Sequence, residues 1–503
     1  MAEVKRNIEI EDDETTYDHV LKYTGLFGGV QGITMLISLI RNKLVALLLG
    51  PEGLALINIF NNVMNLVSQS TNFGVSFSAV KHIAELNEET KTIEQVKHYI
   101  SVVRTWSLST GLFGTLVALI LCPIISRLTF ETYDYTLDFA LLSPIALTLA
   151  LSGGELAILK GLKKLKRVAL ISILGAISTL IICIPLYWTM GLKGVAISLL
   201  LSNISALAIQ MYFSCKVVSW QTSIFSRQSY IDGMPMLKLG LGYIIAGIFG
   251  QGAEYIIRTM IIRFGNLADV GIYNSGYMMA VAYTSLVFIA MEADYFPRLS
   301  AAKQSVSRQN FTVNQQIEVC VLLIAPFLIL FVVAMPLIVQ LLFSAKFIAA
   351  VPMSICASLY MFFRALTLPV AYLSLAHGDS KMYMITELVY DIFIAITIPF
   401  AYTQWGLIGT GAALSVAGLF DMTMIYSIYI KRYKFCFSFR LISFYILQMI
   451  LLISAIYASL QEDLVLRWSI NIVAFIISLT LSIRILSRET SFVGKIKEKF
   501  RKN

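Results

Sequence analysis

Three arginines, Arg41, Arg258 and Arg364, fall inside runs of hydrophobic residues, where a charged side chain is hard to keep. A cation at the centre of a bilayer costs roughly 2.5–3.5 kcal/mol even on the mildest insertion scale, so each calls for a partner or a wet cavity. A guanidinium presents a fixed fork of donors, and in a low dielectric that fork suits a compact anion. Arg41 precedes Gly50 by about nine residues, roughly 13 Å of helix, which is too deep for easy snorkelling. Lys43 lies within a turn of it but points elsewhere and reads as a snorkelling cation. Glu254 and Arg258 are one helical turn apart, and the pair reads either as an internal salt bridge or as a ligand contact.

Acidic and amide groups form two further patterns. Glu387 and Asp391 are also a turn apart, with Asp421 in the next apolar run. Carboxylates paired in a membrane repel each other and so favour uptake of H+ or Na+; the alternative role is to neutralise Arg364. Asn58, Asn61, Asn65, Gln69 and Asn72 recur at steps of three or four and draw one polar stripe along a helix. The stripe serves either interhelical hydrogen bonding, worth about 0.6 kcal/mol per contact, or a wall that meets sugar hydroxyls.

Other chemistry is missing from the chain. It has no phosphate-binding loop of the GxxxxGK[ST] form, no nucleophile elbow and no zinc motif, so neither an enzyme nor a cofactor is expected. Cys122, Cys183, Cys215, Cys320, Cys356 and Cys436 are scattered, without the CxxC spacing of a metal or redox site.

The elements that must carry these residues follow from composition. The chain has 503 residues, 57% hydrophobic and 14% charged, with a mean hydropathy of +0.77. Unpaired backbone groups are not tolerated in hydrocarbon, and segments such as 168–186 and 321–342 are apolar throughout rather than alternating, so the expectation is an all-α integral membrane protein. About fourteen spans are expected, near 23–49, 54–79, 102–125, 137–159, 168–188, 194–215, 237–262, 270–293, 317–343, 350–376, 383–403, 407–430, 441–460 and 467–486. The acidic start has no cleavable leader pattern, so the first span is expected to act as the signal.

An even number of spans puts both termini on one side. Of the 39 Lys and Arg residues, 30 fall on that side, which makes it cytoplasmic by the positive-inside rule. The net charge of +9 then reflects topology and anionic lipid rather than nucleic acid.

An internal repeat organises the spans. Gly191-Leu192-Lys193-Gly194 aligns with Gly406-Leu407-Ile408-Gly409, and Lys43 and Gly50 align with Arg258 and Gly265, all at an offset of 215. Six is even, so the two blocks enter from the same side as parallel repeats. The expected division is a cytoplasmic tail (1–22), a six-helix lobe (23–216), a cytoplasmic linker (217–236), a second six-helix lobe (237–430), an accessory pair (431–486) and a basic tail (487–503).

The 6+6+2 pattern, the segment LIRNKLVALLLGPEGLALINIFNNV (39–63) and the segments ADVGIYNSGYMMA and ADYFPRLSAAK (within 268–303) resemble the multidrug/oligosaccharidyl-lipid/polysaccharide exporter superfamily. The resemblance is strongest to its polysaccharide-transporter branch and to O-antigen flippases of the Wzx type. It implies alternating access and transfer of undecaprenyl-pyrophosphate-linked oligosaccharide from the cytoplasmic to the periplasmic leaflet of a bacterial inner membrane. On that footing Arg41, Arg258 and Arg364 would bind the pyrophosphate. Asn58, Asn61, Asn65 and Gln69 would line the sugar path, and Glu387, Asp391 and Asp421 would couple transport to H+ or Na+. Arg41 corresponds to a cavity arginine of the related lipid II flippases, whereas a second such arginine falls here near Thr34 and Met35. Expected partners are the lipid-linked oligosaccharide, membrane lipids, and the polysaccharide polymerase and chain-length machinery. Two other readings stand beside this one: a multidrug or cation antiporter of the same superfamily, and a non-transporting scaffold in a glycan assembly complex.

Overall fold

Backbone amides in hydrocarbon must bond within their own segment, and every regular element among the described residues is helical. The computed structural model describes residues 29–88, 93–223, 226–461 and 463–489. The expected N-terminal tail and most of the basic C-terminal tail lie outside them. The chain divides into two compact units, Met1–Tyr255 and Ile256–Asn503.

The first unit contains α1 (Gly29–Leu48), α2 (Gly50–Asn72), α3 (Val75–Glu88), α4 (Ile93–Phe130), α5 (Thr136–Leu142), α6 (Pro144–Gly161), α7 (Leu165–Met190) and α8 (Gly194–Cys215). It also holds the first part of α9 (Arg227–Phe264), which runs on past the division. The second unit holds the end of α9, then α10 (Leu267–Tyr277), α11 (Leu286–Ala302), α12 (Val306–Leu342), α13 (Ala350–Ala376), α14 (Ser380–Tyr433), α15 (Phe439–Ser459) and α16 (Leu464–Glu489). A six-residue π-helical turn, Met278–Tyr283, lies between α10 and α11.

Among the described residues, nine helices are long and apolar enough to cross a membrane. Two of these, Leu165–Cys215 and Ser380–Tyr433, run to 51 and 54 residues because each folds back at a glycine and makes two passes. The expected spans at 54–79, 237–262 and 270–293 are helical as α2 with α3, α9, and α10 with α11. The first of these is not one rod: Phe73 (φ 46°) and Gly74 (φ 68°) are successive left-handed residues that end α2 and re-aim α3.

Unlike those of a water-soluble fold, many of the exposed side chains on these helices are apolar. On α4, Leu112, Leu116, Ile120, Ile124 and Leu128 are exposed at four-residue steps. Val103, Ser107, Thr110, Ala118, Cys122 and Ser126 are buried. The apolar stripe meets lipid, and the more polar face packs inward. Inside the first unit, Phe60 meets Phe139 edge-on at 5.2 Å, and Val75, Ala79, Ile83, Ile100, Val103 and Ile158 form a core that also takes in Met236.

The two fold-back glycines carry the repeat into three dimensions. Gly191 has φ 59° and ψ −136°, and Gly406 has φ 59° and ψ −146°, a region open essentially to glycine alone. Three residues further on, a Cβ on Gly194 would sit 2.7 Å from the Leu186 carbonyl oxygen, and one on Gly409 would overlap the carbonyl of Ala401. Leu186 and Ala401 are themselves 215 positions apart. The helical hairpins of α7 with α8 and of the two passes of α14 are therefore closed by the same turn.

Candidate functional site

The amide stripe sits on α2 in the first unit. This helix buries Ile59, Phe60, Val63, Met64 and Val67 and leaves Asn58, Asn61, Asn65 and Gln69 half-buried. Asn58 Nδ2 donates to the Leu54 carbonyl of its own helix at 2.7 Å. Asn72 Nδ2 donates to Ser76 Oγ at 3.2 Å, and its Oδ1 accepts from Thr110 Oγ1 at 3.5 Å. A Cβ on Gly247 would lie 2.8 Å from Gln69 Oε1, so the absence of a side chain there lets α9 approach α2. Among the described residues, Asn61 and Asn65 make no hydrogen bond, which leaves their amides available on that face.

Asn62 lies one residue off the stripe and escaped the sequence reading. It is buried and donates to Gln251 Oε1 at 2.9 Å and to the Gln251 carbonyl at 3.3 Å, tying α2 to α9.

Arg41 is half-buried on α1. Among the described residues it has no carboxylate within ion-pair distance. Elsewhere in the first unit the Tyr187 phenol of α7 accepts the Ser198 hydroxyl of α8 at 2.9 Å. Cys183 and Ser202 add a 3.5 Å contact between the same two helices.

In the second unit the expected charges have partners of their own. Arg258 Nε donates to the buried Asn274 Oδ1 at 3.0 Å, linking α9 to α10. Arg364 on α13 lies 3.5 Å from Asp421 on the second pass of α14. Glu387, on the first pass of α14, acts electrostatically on both. Tyr360 and Tyr390 stack beside them at 6.4 Å. The Arg364 guanidinium thus has Asp421 beside it and Glu387 within electrostatic reach, and the buried Asp421 Oδ2 accepts no hydrogen bond among the described residues. Such a cluster can take up a cation. Asp391, a turn beyond Glu387, is half-buried and has polar interactions of its own.

A fully buried ion pair among the described residues was not anticipated. Arg104 and Glu155 are each 1% exposed. Arg104 Nε and Nη2 donate to the two Glu155 oxygens at 2.8 and 3.1 Å. The same guanidinium donates to Ser214 Oγ at 3.2 Å, the Val218 carbonyl at 3.2 Å and the Ser219 carbonyl at 2.6 Å. Ser214 also donates to Glu155. From the sequence, Glu155 lies near the inner end of the fourth expected span with no special role, and Arg104 does not stand out. The available signal was that two adjacent expected spans each carry an opposite charge at the same depth.

A family profile described as "Polysaccharide biosynthesis protein" matches residues 20–303. No curated protein matches the sequence significantly. Among solved structures, the lipid II flippase MurJ in an inward closed conformation is 14% identical, with a TM-score of 0.68 over 92% of this chain and 99% of that one. An inward-facing multidrug resistance MATE family transporter of the MOP superfamily is 16% identical, with a TM-score of 0.67 over 80% of this chain and 94% of the other. A MOP superfamily transporter from Pyrococcus furiosus is 15% identical, with a TM-score of 0.56 over 82% and 94%. At these identities the likeness is one of fold.

Proposed function

We propose that this chain, which belongs to the polysaccharide biosynthesis protein family and is a multi-pass membrane protein, is a flippase. Its substrate is an undecaprenyl-pyrophosphate-linked oligosaccharide, an O-antigen or similar repeat unit. It carries this substrate from the cytoplasmic to the periplasmic leaflet of the bacterial inner membrane by alternating access, with both termini cytoplasmic.

The observation that carries this reading is Arg41. It is a half-buried cation in an apolar span with no carboxylate within ion-pair distance among the described residues, in the same unit as a helix lined with amides. An anionic headgroup supplies the missing counter-charge, and sugar hydroxyls supply partners for Asn61 and Asn65. Arg258 and Arg364 already have partners of their own, so the anion contact falls to Arg41. An apolar groove of about 320 Å³ between α12 and α16, lined by Leu322, Pro326, Leu330, Phe475, Leu479 and Ile483, has the chemistry to receive part of a polyprenyl chain. H+ or Na+ entering the Glu387, Asp391 and Asp421 region couples transport to an ion gradient.

Deleting the gene should make lipid-linked glycan accumulate on the cytoplasmic face. Complementation with Arg41→Ala should fail, while Arg41→Lys should restore part of the flux. Full complementation by Arg41→Ala removes the assigned anion site. The carboxylate cluster also suits a multidrug or cation antiporter, which would instead give normal surface polysaccharide and altered drug tolerance in the deletion strain.

A further inference from the structure

The residues after α8 were expected to form a linker, and four of them, Val218, Ser219, Trp220 and Ser223, lie against α4. Val218 and Ser219 present their carbonyls to Arg104, and the Trp220 ring lies under its guanidinium at 4.8 Å. The Ser223 amide donates to Thr105 Oγ1 at 2.9 Å. The start of α9 continues the contact. Tyr230 bonds Ser109 at 2.8 Å and meets Trp106 edge-on at 5.2 Å, Asp232 meets His98 at 2.9 Å, and Met236 is fully buried in the core of the first unit.

The second unit uses the equivalent span in the same way. There the segment leaving α14 is held on α12: Gln309, Asn310 and Asn314 donate to the carbonyls of Tyr433, Lys434 and Cys436 at 3.1, 3.0 and 2.9 Å. The Ser438 amide returns a bond to Asn314 Oδ1 at 2.9 Å. Counting spans from the start of each repeat, α4 and α12 are both the third.

We propose that residues 217–223 and 226–236 are a clasp belonging to the first unit, keyed by Arg104, and that the clasp stays closed throughout the transport cycle. A hydrogen-bonded, charge-compensated guanidinium holding two carbonyls is costly to release, because release strands a buried charge. Flexible loops make few such contacts. The chain between the two repeats therefore moves as part of the first unit, and Arg104 is a positioning residue that touches no substrate. The statement about the cycle rests on the flippase reading, whereas the clasp itself does not.

Two measurements test it separately. Hydrogen exchange in the purified full chain reads the clasp without any transport. The Val217, Val218 and Ser223 amides, which donate to the Ser214 carbonyl and to Thr105 Oγ1, should be protected in the native protein, and in an Arg104→Met/Glu155→Leu variant they should exchange at least tenfold faster while the rest of the unit keeps its protection. Free-peptide exchange in the native protein, or no change in the variant, overturns the clasp. For the cycle, Thr105→Cys and Ser223→Cys are introduced after replacement of the six native cysteines and joined by a short reducible thiol cross-linker. Proteoliposomes containing undecaprenyl-pyrophosphate oligosaccharide should keep flux within twofold when cross-linked. A loss above tenfold that a reductant restores overturns the closed clasp. If flux is absent before cross-linking, while exchange shows the clasp intact, it is the flippase reading that fails.

Discussion

Replacing Glu155 by Ala leaves the Arg104 guanidinium buried without its counter-charge and with Nε unpaired, because Glu155 takes the Nε bond at 2.8 Å while Nη2 keeps Ser214 Oγ and the Val218 carbonyl. Breaking one side of a buried pair typically costs 3–5 kcal/mol, roughly two to nearly four orders of magnitude in the folded-to-unfolded ratio. The Val218 and Ser219 carbonyls still hold the guanidinium, which places the expected loss near the lower figure, about 3 kcal/mol. Arg104→Lys retains a point charge but loses the fork, and should cost about 2 kcal/mol. The Arg104→Met/Glu155→Leu pair removes both charges. Ser219 is exposed and Val218 half-exposed, so water can satisfy their carbonyls. The double variant should therefore be more stable than Glu155→Ala alone by at least about 1 kcal/mol. Pulse proteolysis of the detergent-solubilised protein across a denaturant series reads these differences. A Glu155→Ala cost below about 1 kcal/mol, or a double variant as unstable as the sum of its singles, would refute the account of this pair as a mutually dependent buried unit.

Gly191→Ala and Gly406→Ala should each lose about 1–3 kcal/mol, and by similar amounts, because both force a Cβ into the same positive-φ turn; thermal unfolding midpoints would show a mismatch. Hydrogen bonds from Tyr433 and Arg432 hold the Asp379 carboxyl below its ordinary range. Its contribution is thus complete above the unfolded value near 3.8 and fades as pH falls through the lower folded value. The stability gap between native protein and Asp379→Asn should accordingly close under acid and stay constant from pH 5 to 7, as followed by unfolding at each pH. Asp421→Asn removes the carboxylate beside Arg364 and should make flux independent of the H+ or Na+ gradient in proteoliposomes; unchanged gradient dependence would assign coupling elsewhere.

Much of this fold was readable from the chain because a bilayer enforces a local rule. Backbone bonds must close within each segment, so apolar length alone locates α4, α7, α12 and α13. The repeat was readable for a related reason: a turn that only glycine can make leaves glycine in both copies, as at Gly191 and Gly406. What escaped depends on neighbours that the order of residues does not reveal. Arg104 and Glu155 are 51 positions apart, and Asn62 and Gln251 are 189 apart. Helix length escaped as well. α4 runs for 38 residues, about 57 Å, so its polar start extends well past the apolar stretch that betrayed it. The asparagine stripe was found as a pattern, but its division into Asn72 and Gln69, which pack, and Asn61 and Asn65, which do not, is set by which helix lies opposite.

The last two helices have a consequence for how the protein is made. Gln448 on α15 is fully buried, with its amide donating to the Ser478 carbonyl and to Ser482 Oγ at 3.4 Å, and Ser478 Oγ donating back at 2.6 Å. On the facing helix, Asn471 donates to Ser459 Oγ at 3.0 Å. Each amide has its bonding partner on the other helix, so α15 arriving alone in the lipid would bring an uncompensated carboxamide with it. During synthesis the pair should leave the insertion machinery together as a hairpin, with α15 held back until α16 has been made.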